Sequence, residues 1–380
     1  MTAPLRRREG IALLLALIAL AIVSLVAIGA IHLSLGDARR VRDAALPSMA
    51  AGAADYAAYA PLTLWTPSLE TLSVGDTVGY GPITLARATT HSTTVRLTPT
   101  LFWTVGSAAV GDSAAGTLTH RSANVLYRLA IPDVPVLAAL TVRDSVTVSS
   151  NAALVGADTS TGTWARGCTA AAPGAGLAAS DTTHVCDGGC GGGPSTRIQG
   201  VPARSQDSSA AGIGRYSGFG HESWTSWTAR ATVTITPGAS VTPTYSLTGT
   251  QCNLADPANW GDPTGASACA WHAPVIWARG DVELQGGVGQ GVLLVDGDLT
   301  LSGGVQFTGL IIVRDDIVTA GIGGRVFGAA LAGDNRGGAG DHTLLSGWSE
   351  IRLSRCAVEG VIRRSAPLRT VVGRSWAAIR

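Results

Sequence analysis

The 380 residues carry a formal net charge of +1, from 27 basic and 26 acidic side chains; only 14% of the chain is charged and 46% is hydrophobic. With no block of like charge there is no electrostatic footprint for DNA or RNA, and the apolar fraction excludes a disordered chain. The length accommodates two modest domains beyond any anchor.

Ile11 to Leu33 form an apolar run without a charge, preceded by Arg6-Arg7-Arg8-Glu9-Gly10 and followed by Arg39, Arg40 and Arg42. A helix rises ~1.5 Å per residue and needs ~20 apolar residues to cross the hydrocarbon core, so the run predicts one transmembrane helix. Three arginines lie close on each side and leave the orientation open. A ten-residue leader is easily retained while a long body is translocated, which predicts a single pass of the inner, cytoplasmic membrane with a periplasmic or extracellular body. Ala27-Ile28-Gly29 offers a small-residue cleavage site, but the run outlasts the ~7–15 residues of a secretory signal core. An ordinary signal anchor accounts for the same flank and helix.

The junction of Arg6, Arg7, Arg8, Glu9 and Gly10 with Ile11-Ala12-Leu13-Leu14 resembles the prepilin leader of type IV pilins and type II secretion pseudopilins. The resemblance implies cleavage after Gly10, a methylated Ile11 as mature amino terminus, and a helix stored in the membrane before it packs against other pilin-like subunits. Major pilins carry a glutamate at the fifth mature position, where this chain has Leu15. The resemblance is therefore to minor subunits, PilX-like minor pilins and the K-type pseudopilin, and implies a tip or assembly role. It covers about the first fifty residues.

Beyond the membrane the helix is expected to continue from Ser34 to Ala45, to break or kink at Leu46-Pro47, and to resume over Met49 to Ala60. From Pro61 the hydrophobic period becomes alternating. Thr93–Val105, Asn124–Leu129 and Leu140–Val148 read as half-buried strands, with turns at Gly106-Ser107 and Gly111-Asp112-Ser113, which predicts an antiparallel sheet. Ser149 to Ala273 is rich in Gly, Ser, Thr and Pro and reads as loops with short strands.

That stretch holds Cys168, Cys186, Cys190, Cys252 and Cys269, and Cys356 lies beyond it. An even count favours disulfides in an oxidising compartment. Cys252 with Cys269 is the expected local pair, Cys168 is expected to pair with Cys186 or Cys190, and the remaining cysteine with Cys356. A zinc reading of His184, Cys186 and Cys190 lacks a second ligand pair, and no metal or cofactor is expected.

The carboxy-terminal part contains an internal repeat: Ile276–Leu284 aligns with Leu293–Leu301 at an offset of 17 residues and then with Ile311–Thr319 at 18. Gly328–Asp334 is a partial further copy, and Gly360-Val361-Ile362 opens as another. A period near 18 with two short strands per copy fits a β-solenoid, one coil per copy, with Leu294, Ile312 and Ala330 at equivalent interior positions. Asp281, Asp298 and Asp316 then align at one corner, as a cation ladder or as ordinary turn chemistry in which carboxylates cap local amides.

Catalytic patterns are weak. Gly111-Asp112-Ser113-Ala114-Ala115-Gly116 lacks ordered partners and reads as a turn; His221-Glu222 lacks the second histidine of a zinc-protease helix; Gly287–Gly291 lies between strands rather than opening a βαβ unit. The fold expected is mainly β with one amino-terminal transmembrane α-helix, an antiparallel β region and a carboxy-terminal β-solenoid-like repeat, with a β-sandwich as runner-up. Its parts are a basic leader (1–10), helix and stem (11–60), antiparallel domain (61–150), cysteine-rich loops (151–273) and repeat domain (274–380). The function expected is a non-enzymatic, membrane-anchored pilin-like subunit or adhesin with an unidentified surface ligand. The alternatives are a signal-anchored enzyme or polysaccharide-binding protein, and a self-assembling solenoid scaffold.

Overall fold

The computed structural model describes residues 9–63, 69, 72–112, 117–160, 162–165, 168, 172–188, 196–336 and 342–371. They belong to two compact units, 1–128 with 368–380, and 129–367.

The first unit begins with a single helix, Glu9–Thr63, of 55 residues, about 80 Å long at the usual rise. Within it Leu13–Asp37 is long and apolar enough to cross a membrane, and none of that stretch is buried. The helix runs through Pro47 where a break was expected. A proline removes one intrahelical bond; here the loss is offset by packing, because Leu46, Ala50, Ala53, Ala54 and Ala58 form one buried stripe against Ala88, Ala108, Val110 and Ala123 of a sheet.

That sheet is antiparallel, with β1 (Thr77–Leu85), β2 (Ala88–Thr98), β3 (Leu101–Asp112) and β4 (Thr117–Leu129) in chain order and Leu368–Thr370 beside β4. Thr93–Val105 is not one strand. Pro99 and Thr100 form the turn that separates β2 from β3, as a residue with no N–H cannot continue a ladder. Gly106-Ser107, expected as a turn, lies inside β3. Its glycine serves another purpose: a Cβ there would overlap the backbone of Ala54 and Ala58, so the missing side chain lets the helix approach the sheet. Beneath the helix, Thr94 and Thr104 share a 2.8 Å hydrogen bond across β2 and β3.

The second unit is built from parallel ladders in a solenoid-like arrangement. Ile276 pairs with Leu293 and Leu293 with Ile311, while Val282 pairs with Leu299 and Leu299 with Ile317. This is the register of the 17- and 18-residue repeat. Each coil supplies a long strand (Val288–Val295, Val305–Val313, Gly324–Ala332) and a short one (Val282–Gln285, Leu299–Ser302, Ile317–Thr319). Hydrogen bonding between the coils is parallel, not through the hairpins a β-sandwich would use; short antiparallel pairs occur off the stack at 218–223 and 247–252.

Two expected interior positions shift. Ile312 pairs with Leu331, whereas Ala330 pairs with Ile311; the third turn is one residue longer than the second. Ile276, Leu293, Ile311 and Ala330 face the coil interior with Val282, Leu284, Leu299 and Leu301. Leu294, Ile312 and Leu331 point outward and are buried beneath the helix Arg355–Ser365, against Ala357, Val358, Val361 and Ile362. Gly360-Val361-Ile362 therefore belongs to this covering helix and opens no further coil.

Leu140–Val148 is also reassigned. Ala138–Val142 lies parallel to Ala330–Ala332, and Val146–Val148 lies parallel to Thr343–Leu345, so both are coil strands rather than members of the antiparallel sheet. Ala153–Val155, Ala175–Ala179, Val185–Asp187, Ile198-Gln199 and Arg204–Gln206 extend the same ladders. Their side chains alternate inward like those of the repeat, but longer excursions separate them and hide the period.

Candidate functional site

The corner between long and short strands brings Asp281, Asp298 and Asp316 into one column. The Asp298 N–H donates to Asp281 Oδ1 at 2.9 Å, and the Asp316 N–H donates to Asp298 Oδ1 at 3.1 Å. Each carboxylate thus caps the backbone of the next coil, the turn chemistry described above. Asp316 accepts from Thr343 Oγ1 at 3.0 Å. Arg336, which no motif or repeat position marks, supplies the cation: its guanidinium pairs with Asp281 and Asp315 and lies 3.7 Å from Asp298. A Cβ at Gly297 would strike both Asp281 and Arg336, so this corner position must stay bare.

Two of the corner carboxyls respond in opposite directions. The Asp298 amide, then Arg336, hold Asp281 below the usual carboxylate range. Burial pushes Asp298 up, against the pull of the Asp316 amide and Arg336. Among the described residues no group of three or more His, Cys, Asp or Glu is arranged to hold a metal ion.

Two positions earlier in each coil stand Arg279, Asp296 and Arg314. Asp296 accepts indole N–H groups from Trp224 at 2.9 Å and Trp277 at 2.8 Å, and lies 3.4 Å from Arg314. Arg279 sits over the Trp277 ring at 4.8 Å. This array pins the segment carrying Trp224 onto the stack. A cleft lined by Thr232, Val233, Leu254, Asp256, Asn259 and His272 lies beside the outermost coil strand. Burial lowers the His272 pKa, and its Nε2 is 3.2 Å from the Asn259 carbonyl oxygen. The ring is therefore neutral with its Nε2–H donated to that carbonyl.

Gly10 and Ile11 lie in the first turn of the amino-terminal helix, and Arg6, Arg7 and Arg8 fall outside the described residues, as do Cys190 and Ser113. Cys252 pairs with Cys269 as expected, with 4.8 Å between Cα atoms. Cys168 does not pair with Cys186 or Cys190: it bonds Cys356, 5.9 Å away between Cα atoms, because the loop around Ser160 lies against the start of the helix Arg355–Ser365. Cys186 is also disulfide-bonded, which removes the thiolate a zinc site with His184 would need; His184 Nδ1 instead lies 3.5 Å from Asp144. Buried Glu222 of the His221-Glu222 pair meets the partly exposed Arg230 at 2.8 Å in an ion pair. Gly287 and Gly291 have φ of 75° and 127° and serve the coil backbone.

No protein-family model matches the chain, and no curated protein matches it. Among solved structures, the competence-associated pilin ComZ from Thermus thermophilus is similar over 87% of this chain and 97% of that chain, at 10% sequence identity and a TM-score of 0.22, a score too low to carry an argument.

Proposed function

We propose that this chain is a membrane-anchored, exported pilin-like subunit of the minor, PilX-like kind, whose helix anchors and assembles it and whose β body is the exposed head. One observation carries the reading: a single helix is apolar and uncovered on all sides over Leu13–Asp37, then becomes one-sided and packs its alanine stripe on an antiparallel sheet. A helix that needed only to anchor the chain has no requirement to continue unbroken into the folded part. The basic leader ending in Gly10 supports the same reading, and the disulfides fit an oxidising compartment. The role is structural or adhesive rather than enzymatic, in an inner-membrane protein with its body outside the cytoplasm. Neighbouring pilin-like subunits are its partners through the helix.

Amino-terminal sequencing of the membrane-extracted protein tests it. Ile11 is the expected mature residue, and Gly10→Trp is expected to retain the leader without loss of membrane insertion, since the apolar run that drives insertion is unchanged. An intact Met1 or Thr2 in the wild-type protein reduces it to an ordinary signal-anchored surface protein. Leu15 in place of the glutamate adds a quantitative expectation: without a carboxylate to neutralise a neighbour's amino terminus in an apolar core, burying that charge repeatedly is costly. The chain is thus expected at low copy, and its isolation as the dominant filament subunit overturns the minor-subunit assignment.

A further inference from the structure

The coils of residues 129–367 do not stack in the order in which they are synthesised. Along the ladder, 233–235, 275–278, 292–295, 310–313 and 329–332 follow one another, and the next strand is not the continuation of the chain but 138–142, then 175–179 and 204–206. At the junction one long strand is replaced by two pieces. Gly328 pairs with Leu353 and Ala330 with Leu140, so the position opposite Ala329 alone separates the end of the later segment from the start of the earlier one. The stack is a continuous superhelix with a seam in its middle, read 233 to 353 and then 138 to 206.

Residues 207–232 carry the chain back from one end of the stack to the other, coil by coil. The Ala211 carbonyl accepts from Arg143 Nε at 3.0 Å, the Tyr216 ring lies against Gly333, Trp224 donates to Asp296 at 2.9 Å, and the Thr232 N–H donates to the Val275 carbonyl at 2.9 Å. The seam itself is fastened from both sides. The Arg355 N–H donates to Asp158 Oδ1 at 3.0 Å, the Thr159 N–H to the Leu353 carbonyl at 2.9 Å, and Cys168 bonds Cys356.

The two segments are unequal. A coil is stable only when neighbours cover its edges, and about three are needed before a stack stands alone. The later segment has five successive coils, mostly spaced by one short repeat; three of them have long strands of eight or nine residues, and the two at the outer end have strands of three and four. The earlier segment supplies two coils and one further strand, each strand two to five residues long, which is below that threshold. We infer that residues 233–353 form the template of this unit and that residues 138–206, although made first, order only by docking onto the exposed edges of Gly324–Ala332, Thr343–Leu345 and Glu350–Leu353. The head is then completed only after its last coil has crossed the membrane, and the dependence runs one way.

Hydrogen exchange on the full-length chain in detergent reads this dependence at equilibrium. Leu177 and Ile311 are both fully buried in the coil interior. Leu177→Asp is expected to abolish amide protection at 140–142 and 177–179 while 293–295 and 311–313 stay protected; Ile311→Asp is expected to abolish protection in both sets. Loss of protection at 293–295 in Leu177→Asp, or retention at 140–142 in Ile311→Asp, overturns the inference. Pulse labelling of the refolding wild-type chain is independent of either variant: protection at 293–295 and 311–313 is expected before protection at 140–142, and simultaneous or reversed protection overturns it.

Discussion

A methyl group added at Gly309 would overlap the carbonyl oxygen of Gly291 in the neighbouring coil, on a backbone with φ of 133°. Gly291, Gly309 and Gly328 are in register at the middle of three long strands, so the collision has no side chain to push aside. Gly309→Ala is expected to cost about 3 kcal/mol or more, from strain and overpacking together. Gly321, with φ of 61° and nothing within 4 Å of a built Cβ, carries only the left-handed penalty, so Gly321→Ala is expected to cost roughly 1–2 kcal/mol. Urea unfolding at constant slope measures both, and equal losses would show that the glycine ladder is not close-packed. Titration offers a second residue-scale expectation. Burial holds the His272 pKa below its ordinary value of 6.5, so on acidification the unfolded chain takes up its proton before the folded one does. The stability due to the neutral ring is present above 6.5 and is lost as pH falls through the folded value. Thermal midpoints should therefore drop as pH is lowered from about 7 to about 5, and His272→Gln should flatten that dependence. Asp262 behaves differently: burial pushes it up, but donors from Thr264 and Ser267 outweigh burial and leave it below 3.8. Its loss belongs to a separate, more acid window, which His272→Gln should leave unchanged.

Among the elements, the repeat at 276–319 was legible because its register is the sequence offset itself: residues 17 or 18 apart in the chain are partners in the ladder. The coils from 138 to 206 were not legible, since excursions between their strands destroy the period and two- to five-residue strands carry too little alternation to recognise. Asp281, Asp298 and Asp316 were found through the repeat, whereas Arg336 comes from a loop that interrupts it and leaves no periodic trace. Tertiary contact likewise decided the helix at Pro47. Local chemistry favours a break, and the alanine stripe on the sheet carries the helix across it. If packing and not the proline sets the helix path, Pro47→Ala restores an N–H to the Asp43 carbonyl and is expected to stabilise the helix by about 1–3 kcal/mol. The far-ultraviolet thermal midpoint in detergent checks this. A lowered midpoint would mean that a bend at Pro47 is needed to seat Leu46 and Ala50 on the sheet.

At the scale of the whole molecule, the two mapped disulfides close loops of very different size. Cys252 and Cys269 are 17 residues apart, and Cys168 and Cys356 are 188 apart. Both act chiefly on the unfolded chain, whose freedom each removes in proportion to the logarithm of the loop it closes. The longer link is therefore worth more, by about 2 kcal/mol on the chain-entropy estimate. It also sits where the early and late segments of the stack meet, beside Ser160, Ser354 and Asp158, so removing it loosens the seam as well as the unfolded ensemble. The paired substitution Cys168→Ser with Cys356→Ser is expected to lower stability more than Cys252→Ser with Cys269→Ser, and the two losses should be measured by denaturant unfolding of the oxidised proteins at one pH. The first pair should in addition raise amide exchange at 140–142 and 153–155, while the second leaves those strands protected, because its loop is fastened beside the outermost coil, at one end of the ladder and away from the seam. A larger loss from the Cys252–Cys269 pair would mean that the seam is already held by its hydrogen bonds and packing, and that the long disulfide adds little to a stack the ladders alone keep closed.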